Sequence, residues 1–482
     1  MKQSHVHSKS IFDFYGKPGF GKALPLSLQH ILAMIMGAVT PPLIVANVVG
    51  LSAQESTLLI QVALLFSGLS TLLQLYSVGS IGARMPVIFG VGFAYMPTLL
   101  SVANSIDPAT GERYGIDAIM GAQVIGGIAM LLVGILIKHI RHLFPPVVAG
   151  TVVLVIGLSL YGVAINYMAG NAFVNGAPNP EFGSGQNWLV AAVTLLVVLL
   201  CSQFGKGYFR LAAIIIGIIA GYALGSFFGM VNLDRVATAD WAYLPMPLEF
   251  GLSFPVGAIV PMVIICIVNS VQTIGDLSAT AVGGMNRELQ DKEMSGGLIG
   301  NGLTTLVGSF FGSLPTSSFS QNVGIVAMTK VISRYVLGIA AIFMILAGLL
   351  PKFSAVMLTI PYPVIGGATI IVFGMITMTG IQLLVKDELS SRNVTIAALS
   401  VALAMGVAAK PESVAMLPEM LGSLTNPVII AALTSFILNI VLPKKSLQDE
   451  AREREEIEKN MSGGNDDSAG NVQKKVSTES AN

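Results

Sequence analysis

The stretch PYPVIGGATIIVFG, residues 361–374, has a counterpart earlier in the chain, FPPVVAGTVVLVIG at residues 144–157. Overlaid, they match Pro363 with Pro146, Gly367 with Gly150 and Gly374 with Gly157. Each lies in an apolar run close to the roughly 20 residues a helix needs to cross a bilayer. If the match marks a duplication, the rest of the chain has to divide the same way.

The composition fits a chain built of such runs. Of 482 residues, 53% are hydrophobic and 11% charged, against roughly 25% charged in a soluble globular chain. The class is an integral membrane protein embedded in a lipid bilayer. Its 52 glycines suit helices that pack closely in lipid. With 26 basic and 26 acidic residues the net charge is zero, which gives no electrostatic case for a nucleic-acid partner. Cys201 and Cys266 both fall inside apolar runs and read as inert core residues. Phosphate-cradling loops, HExxH and paired-cysteine motifs are missing, so neither cofactor nor metal is expected, and no nucleophile–base set points to an enzyme.

Twelve apolar runs are of spanning length, the first at 24–49 and the last at 424–442. Two more stretches, 82–104 and 315–331, are broken by Pro86 and Pro97 and by Pro315. Basic residues cluster at Arg84, Lys138 with Arg141, Lys206 with Arg210, and Arg287 with Lys292, and then at Lys330 with Arg334, Lys386 with Arg392 and Lys444 with Lys445. Basic and basic-poor loops alternate only if both broken stretches also cross. The expectation is therefore an all-α polytopic fold of fourteen spans with both termini cytoplasmic.

Fourteen divides into seven and seven, and an odd number per half inverts one half against the other. The opening pair falls on the fifth span of each half and the broken stretches on the third. Interrupted helices at matching positions point to a transporter's substrate site, because non-helical backbone at membrane depth must line a cavity or be buried in protein. The segments are then 1–23, a cytoplasmic start with no signal-peptide pattern; 24–231 and 254–442, the two repeats; and 443–482, a polar tail. Within the tail, LQDEAREREEIEKN (447–460) reads as a short surface helix and the remainder as disordered by composition.

Polar residues inside the spans carry the chemistry. In IICIVNSVQTIGDLSATA (264–281), Asn269, Gln272, Thr273, Asp276 and Thr280 share one helical face. Asp276 has no Lys or Arg in neighbouring spans, so it is a candidate to take up and release a proton; Asn269 and Thr280 serve equally as interhelical glue. Gln321 and Asn322 offer carboxamides that clasp an edge presenting N–H beside C=O, as nucleobases do. GVGFAYMP (90–97) lets backbone approach at Gly90 and Gly92, and Phe93 or Tyr95 either stacks on a flat ring or packs the core. His30 is a proton carrier or a satisfied structural histidine.

Four motifs together resemble one family: LPLSLQHILAM (24–34), QTIGD (272–276), SQNVGIVAMT (320–329) and IPYPVIGGATIIVFGMITMTG (360–380). Over roughly residues 20–442 the chain resembles the nucleobase–ascorbate transporters, also called nucleobase:cation symporter family 2, the xanthine/uracil permeases. The resemblance implies fourteen spans in two inverted sevens, a core and a gate domain, and short antiparallel strands in spans three and ten. It also implies substrate held between those strands and span eight, and a homodimer. Gln321-Asn322 and Gly275-Asp276 match the purine members; uracil members carry Glu-Asn at the tenth span, and ascorbate members carry Pro where Gln321 stands. The implied substrate-binding set is Gln272, Gln321, Asn322, Phe93, Ala94 and Gly324, supported by Asn301, Thr329 and Tyr95. Two family acids are amides here, at Gln272 and Asn301, which leaves Asp276 as the leading proton site and His30 as the second. Gly92 leaves room for a purine larger than xanthine. The expected function is a plasma (inner) membrane purine permease for xanthine or urate, proton-coupled. A uracil permease is the alternative, and an anion exchanger or channel on a similar inverted-repeat fold the remote one.

Overall fold

The computed structural model describes residues 9–106, 111–140, 145–174, 177–414 and 426–458. The first eight residues, Arg141, Phe144 and the tail beyond 458 lie outside them. In lipid a backbone has to satisfy its own hydrogen bonds, so apolar runs become helices. In chain order these begin α1 (Phe20–Val49), α2 (Ala53–Leu75), strand β1 (Phe89–Val91), a 3-10 turn Phe93–Tyr95 and α3 (Met96–Asn104). Then come α4 (Ile116–Ile140), α5 (Pro146–Met168), a β2–β3 hairpin (Phe173–Val174, Ala177–Pro178), α6 (Gly185–Phe204), α7 (Tyr208–Leu211), α8 (Ala213–Phe227) and α9 (Asp234–Thr238). The remainder is α10 (Val256–Met285), α11 (Asp291–Phe311), β4 (Thr316–Ser318), α12 (Ser320–Thr329), α13 (Arg334–Gly348), α14 (Pro351–Leu358), α15 (Tyr362–Leu384), α16 (Ser391–Ala409) and α17 (Pro427–Val441). Residues 447–458 form a further, exposed helix.

Among the described residues eight helices are long and apolar enough to cross a membrane, and α8 and α17 are shorter apolar helices. This is a helical polytopic membrane fold. One apolar run divides differently from its sequence pattern: 355–385 splits between α14 and α15. Pro361 disfavours helical backbone at Ile360 before it, and α14 lies 83° off α13.

α5 packs along α15, α4 against α10 and α11, and α2 and α1 against α13. α6 packs on α8 and α15, and α16 on α17 and α5. Glycine permits the closest of these approaches. A Cβ on Gly150 would lie 2.7 Å from the backbone nitrogen of Leu384 and 2.9 Å from the carbonyl of Gly380.

Both broken stretches contain a strand, and the strands pair with each other. β1 runs antiparallel to β4 in the register Phe89–Ser318, Gly90–Ser317 and Val91–Thr316. A two-stranded sheet leaves two free edges, and an unpaired backbone group at membrane depth costs several kcal/mol. Here side chains close them. On α2, the Thr71 hydroxyl accepts from Phe89 N at 3.1 Å and the Ser67 hydroxyl from Val91 N at 3.2 Å. On α11, Thr305 Oγ1 accepts from Thr316 N at 3.2 Å.

Candidate functional site

The strand pair points two short helices at one place. After β1 the chain turns through Phe93 and Ala94 into α3, and after β4 it turns through Phe319 into α12, which starts at Ser320. Helix N-termini present unbonded N–H groups and a positive dipole end, favourable to carbonyl oxygens and anions. Between them lies a cavity of about 260 Å³, lined from this side by Phe93, Ala94, Ser318, Phe319, Ser320 and Gln321. Gln272 of α10 forms a third wall, and Val153 of α5 with five residues of α15 forms the fourth. The volume is just under the roughly 300 Å³ at which drug-sized pockets begin, as suits one small flat molecule.

Four of the six expected substrate-binding residues line this cavity: Gln272, Gln321, Phe93 and Ala94. Phe93 is held edge-on against Phe373 of α15, ring centroids 5.3 Å apart at 80°. Asn322 turns the other way. Its Nδ2 lies 3.1 Å from His30 Nδ1 and donates to the His30 carbonyl at 3.2 Å, tying α12 to α1. Gly324 is exposed one turn into α12, and a Cβ there would meet nothing. Thr329 braces the far end of the same helix, donating to Ile325 O and accepting from Val331 N.

The remaining polar residues hold the crossing together. The Tyr95 hydroxyl lies 2.9 Å from Asn269 Oδ1 and 3.1 Å from Thr316 O, and Asn269 Nδ2 donates to Ser317 Oγ at 2.8 Å. Asn301 Oδ1 accepts from the Thr316 hydroxyl at 2.8 Å, while its buried Nδ2 has no protein partner. Asp276, buried one turn beyond Gln272, accepts from the hydroxyls of Ser318 at 2.5 Å and Ser320 at 2.9 Å. Thr280 donates back to the Asp276 carbonyl. Gly92 answers to the opposite strand, since a Cβ would sit 2.5 Å from Ser317 Cβ. No group of three or more His, Cys, Asp or Glu among the described residues is placed to hold a metal.

Among the described residues the buried glutamines are bonded to backbone: Gln61 to Gly348 O, Gln74 to Gly297 O, and Gln123 to Thr305 O. Gln272, Gln321 and Gln382, which line the cavity, have no protein hydrogen-bond partner among the described residues. Gln382, Thr379, Met375 and Met378 are among the lining residues that the sequence motifs did not single out. Their spacing on α15 at i, i+3, i+4 and i+7 was the available signal.

A multi-pass helical membrane protein with a small cavity of mixed lining at two broken stretches is the architecture of a transporter. The chain belongs to the permease family, xanthine/uracil type, whose model matches residues 21–413. It is 37% identical over 423 residues to the uric acid permease PucK of Bacillus subtilis, covering 87% of this chain and 95% of that one. It is 34% identical over 432 residues to the xanthine permease of the same organism, covering 88% and 94%. Among solved structures, the transmembrane domain of a cyanobacterial bicarbonate transporter, BicA, shares the fold. Its TM-score is 0.53 at 15% identity, covering 86% of this chain and 97% of that one.

Proposed function

We propose that this protein is a purine nucleobase permease that carries xanthine or urate across the plasma membrane. The observation that carries the reading is the pair of unpartnered carboxamides, Gln272 and Gln321, lining a small cavity together with Phe93. A base edge with N–H beside C=O satisfies a carboxamide's donor and acceptor together, and a purine's two rings stack on an aromatic face. Relatives named for uric acid and xanthine support the purine class. Gln321-Asn322, rather than Glu-Asn, favours a purine over uracil.

The same reading takes the chain as fourteen crossings in two inverted halves, residues 24–231 and 254–442, with both termini cytoplasmic. Helix contacts support it. If α1, α2, α4, α5, α6 and α8 correspond to α10, α11, α13, α15, α16 and α17, the most extensive contacts between the halves have their mates. α2 on α13 mirrors α11 on α4, α1 on α13 mirrors α10 on α4, and α6 on α15 mirrors α16 on α5. Asp276 is the buried acid among the described residues and His30 the buried histidine, which supports Asp276 as the coupling proton site with His30 behind it. α6 and α16 are the least buried of the long apolar helices and supply a face for a homodimer.

The test is uptake by cells that lack their own purine permeases, with labelled xanthine challenged by urate, uracil, bicarbonate and sulfate. Saturable uptake blocked by urate and indifferent to both anions is the expected result. Block by uracil alone makes the protein a uracil permease. Absence of any base uptake, with anion exchange instead, overturns the reading.

A further inference from the structure

The cavity has a second polar wall. Met375, Met378, Thr379 and Gln382 fall on one face of α15 and all line it. The Thr379 hydroxyl donates to Met375 O at 3.0 Å, which leaves its oxygen only acceptor capacity. The Gln382 carboxamide is exposed at the rim and is without a protein partner among the described residues. Two methionines beside it offer a soft, polarizable surface that adapts to a ring.

Position separates Gln382 from the other two glutamines. Gln272 and Gln321 stand on α10 and α12, which pack on each other, whereas α15 packs on α5 and α6. A fused two-ring base has a polar edge at each end. Two carboxamides on one wall need two N–H/C=O pairs, and the six-membered ring that xanthine and urate share provides them. The five-membered ring is left for the facing wall.

We infer that Gln382 is a specificity-determining residue that reads the five-membered ring of the bound purine. This rests on the purine-permease reading above. Urate presents a carbonyl flanked by N–H groups on that ring, and a carboxamide pairs with both by donating and accepting. Xanthine presents C–H in place of the carbonyl and satisfies only half of the amide. Gln382 thereby favours urate over xanthine, and the distinction is made by α15 rather than by the Gln321-Asn322 motif.

The experiment measures inhibition constants of urate and xanthine against labelled xanthine uptake in the wild type, Gln382→Leu and Gln382→Asn. Leucine keeps bulk without polarity, and asparagine keeps the amide but draws it back from the ring. Losing one hydrogen bond of about 0.5–1.5 kcal/mol shifts the urate-to-xanthine ratio about two- to thirteenfold against urate. Both variants move the ratio in that direction. A ratio unchanged in whichever variant reaches the membrane overturns the inference while leaving the permease reading intact. If neither variant reaches the membrane, binding of both bases to the purified proteins decides by the same ratio. A wild type that takes up neither base removes the permease reading, and the inference falls with it.

Discussion

Gln321 and Asn322 are sequence neighbours with different tasks, because successive residues on a helix point about 100° apart. Gln321 faces the cavity, and Asn322 reaches α1 and His30. In the proposed binding mode Gln321→Ala removes a substrate contact, and a buried partner left unpaired costs about 1–3 kcal/mol. Purine uptake by this variant should fall about fivefold or more at wild-type surface abundance; near-normal uptake takes Gln321 out of the site. Asp276 poses the coupling question, since the two serine hydroxyls on its carboxylate suit an anchor for β4 as well as a proton site. Asp276→Asn keeps the shape and removes the titratable proton. We expect loss of uphill accumulation and of protonophore sensitivity, while exchange across preloaded vesicles persists. Continued accumulation that a protonophore still collapses moves the proton elsewhere, with His30 next. Gln272, Gln321 and Asp276 were legible because polar side chains are costly, hence informative, in apolar spans. Gln382 was not, because it stands near the end of its helix, four residues before Lys386, where a polar residue is ordinary. Ser318 and Ser320 were visible as hydroxyls, but nothing local ties them to a carboxylate more than forty residues away.

At the scale of elements, the pair that opened the chain's reading is not symmetric in its packing. A Cβ on Gly157 would come 2.5 Å from the backbone nitrogen of Thr377 and 2.8 Å from its Cα, whereas one on the matched Gly374 would meet nothing within 4 Å. Gly157→Ala therefore pries α5 from α15, and overpacking of this kind costs about 1–3 kcal/mol. Thermal melts in detergent should show a lowered Tm for Gly157→Ala and an unchanged or raised one for Gly374→Ala. Equal melting of the two would mean that the helices shift apart at no cost. Most helices were readable from apolar length alone, and the breaks from Pro86, Pro97 and Pro315. The partnership of the breaks was not readable from local pattern, and strands of three residues have no periodicity to detect. The resemblance supplied that pairing. The break before α15 was blurred because Pro361 and Pro363 sit inside a run that is apolar on both sides.

For the whole molecule, the two ends of α15 differ. At its start the Tyr362 hydroxyl donates to Asn47 Oδ1 of α1 at 2.8 Å, and beyond Phe93 and Gln321 only a crevice of about 10 Å³ remains between α1 and α15. Near its other end Gln382 borders the open cavity. A carrier that releases substrate on both sides must part α1 from α15 at Tyr362. Asn47→Cys with Tyr362→Cys, in a Cys201→Ser background and bridged by a short bifunctional thiol reagent, should lose uptake that each single variant retains. Undiminished uptake in the bridged protein would show that this contact never opens. The strand pair has a consequence of another kind, for how the protein is made. β1 leaves the ribosome early, and β4, its strand partner among the described residues, follows after all the helices from α3 to α11. Until then Thr71 and Ser67 can satisfy one edge of β1 while the other waits, so the first half is inserted with one wall of the cavity unfinished. Closure of that wall is a late, long-range event, and topology of this kind folds slowly. A chain truncated before β4 keeps the apolar helices that precede it yet leaves β1 with an open strand edge at membrane depth, where unpaired backbone is costly.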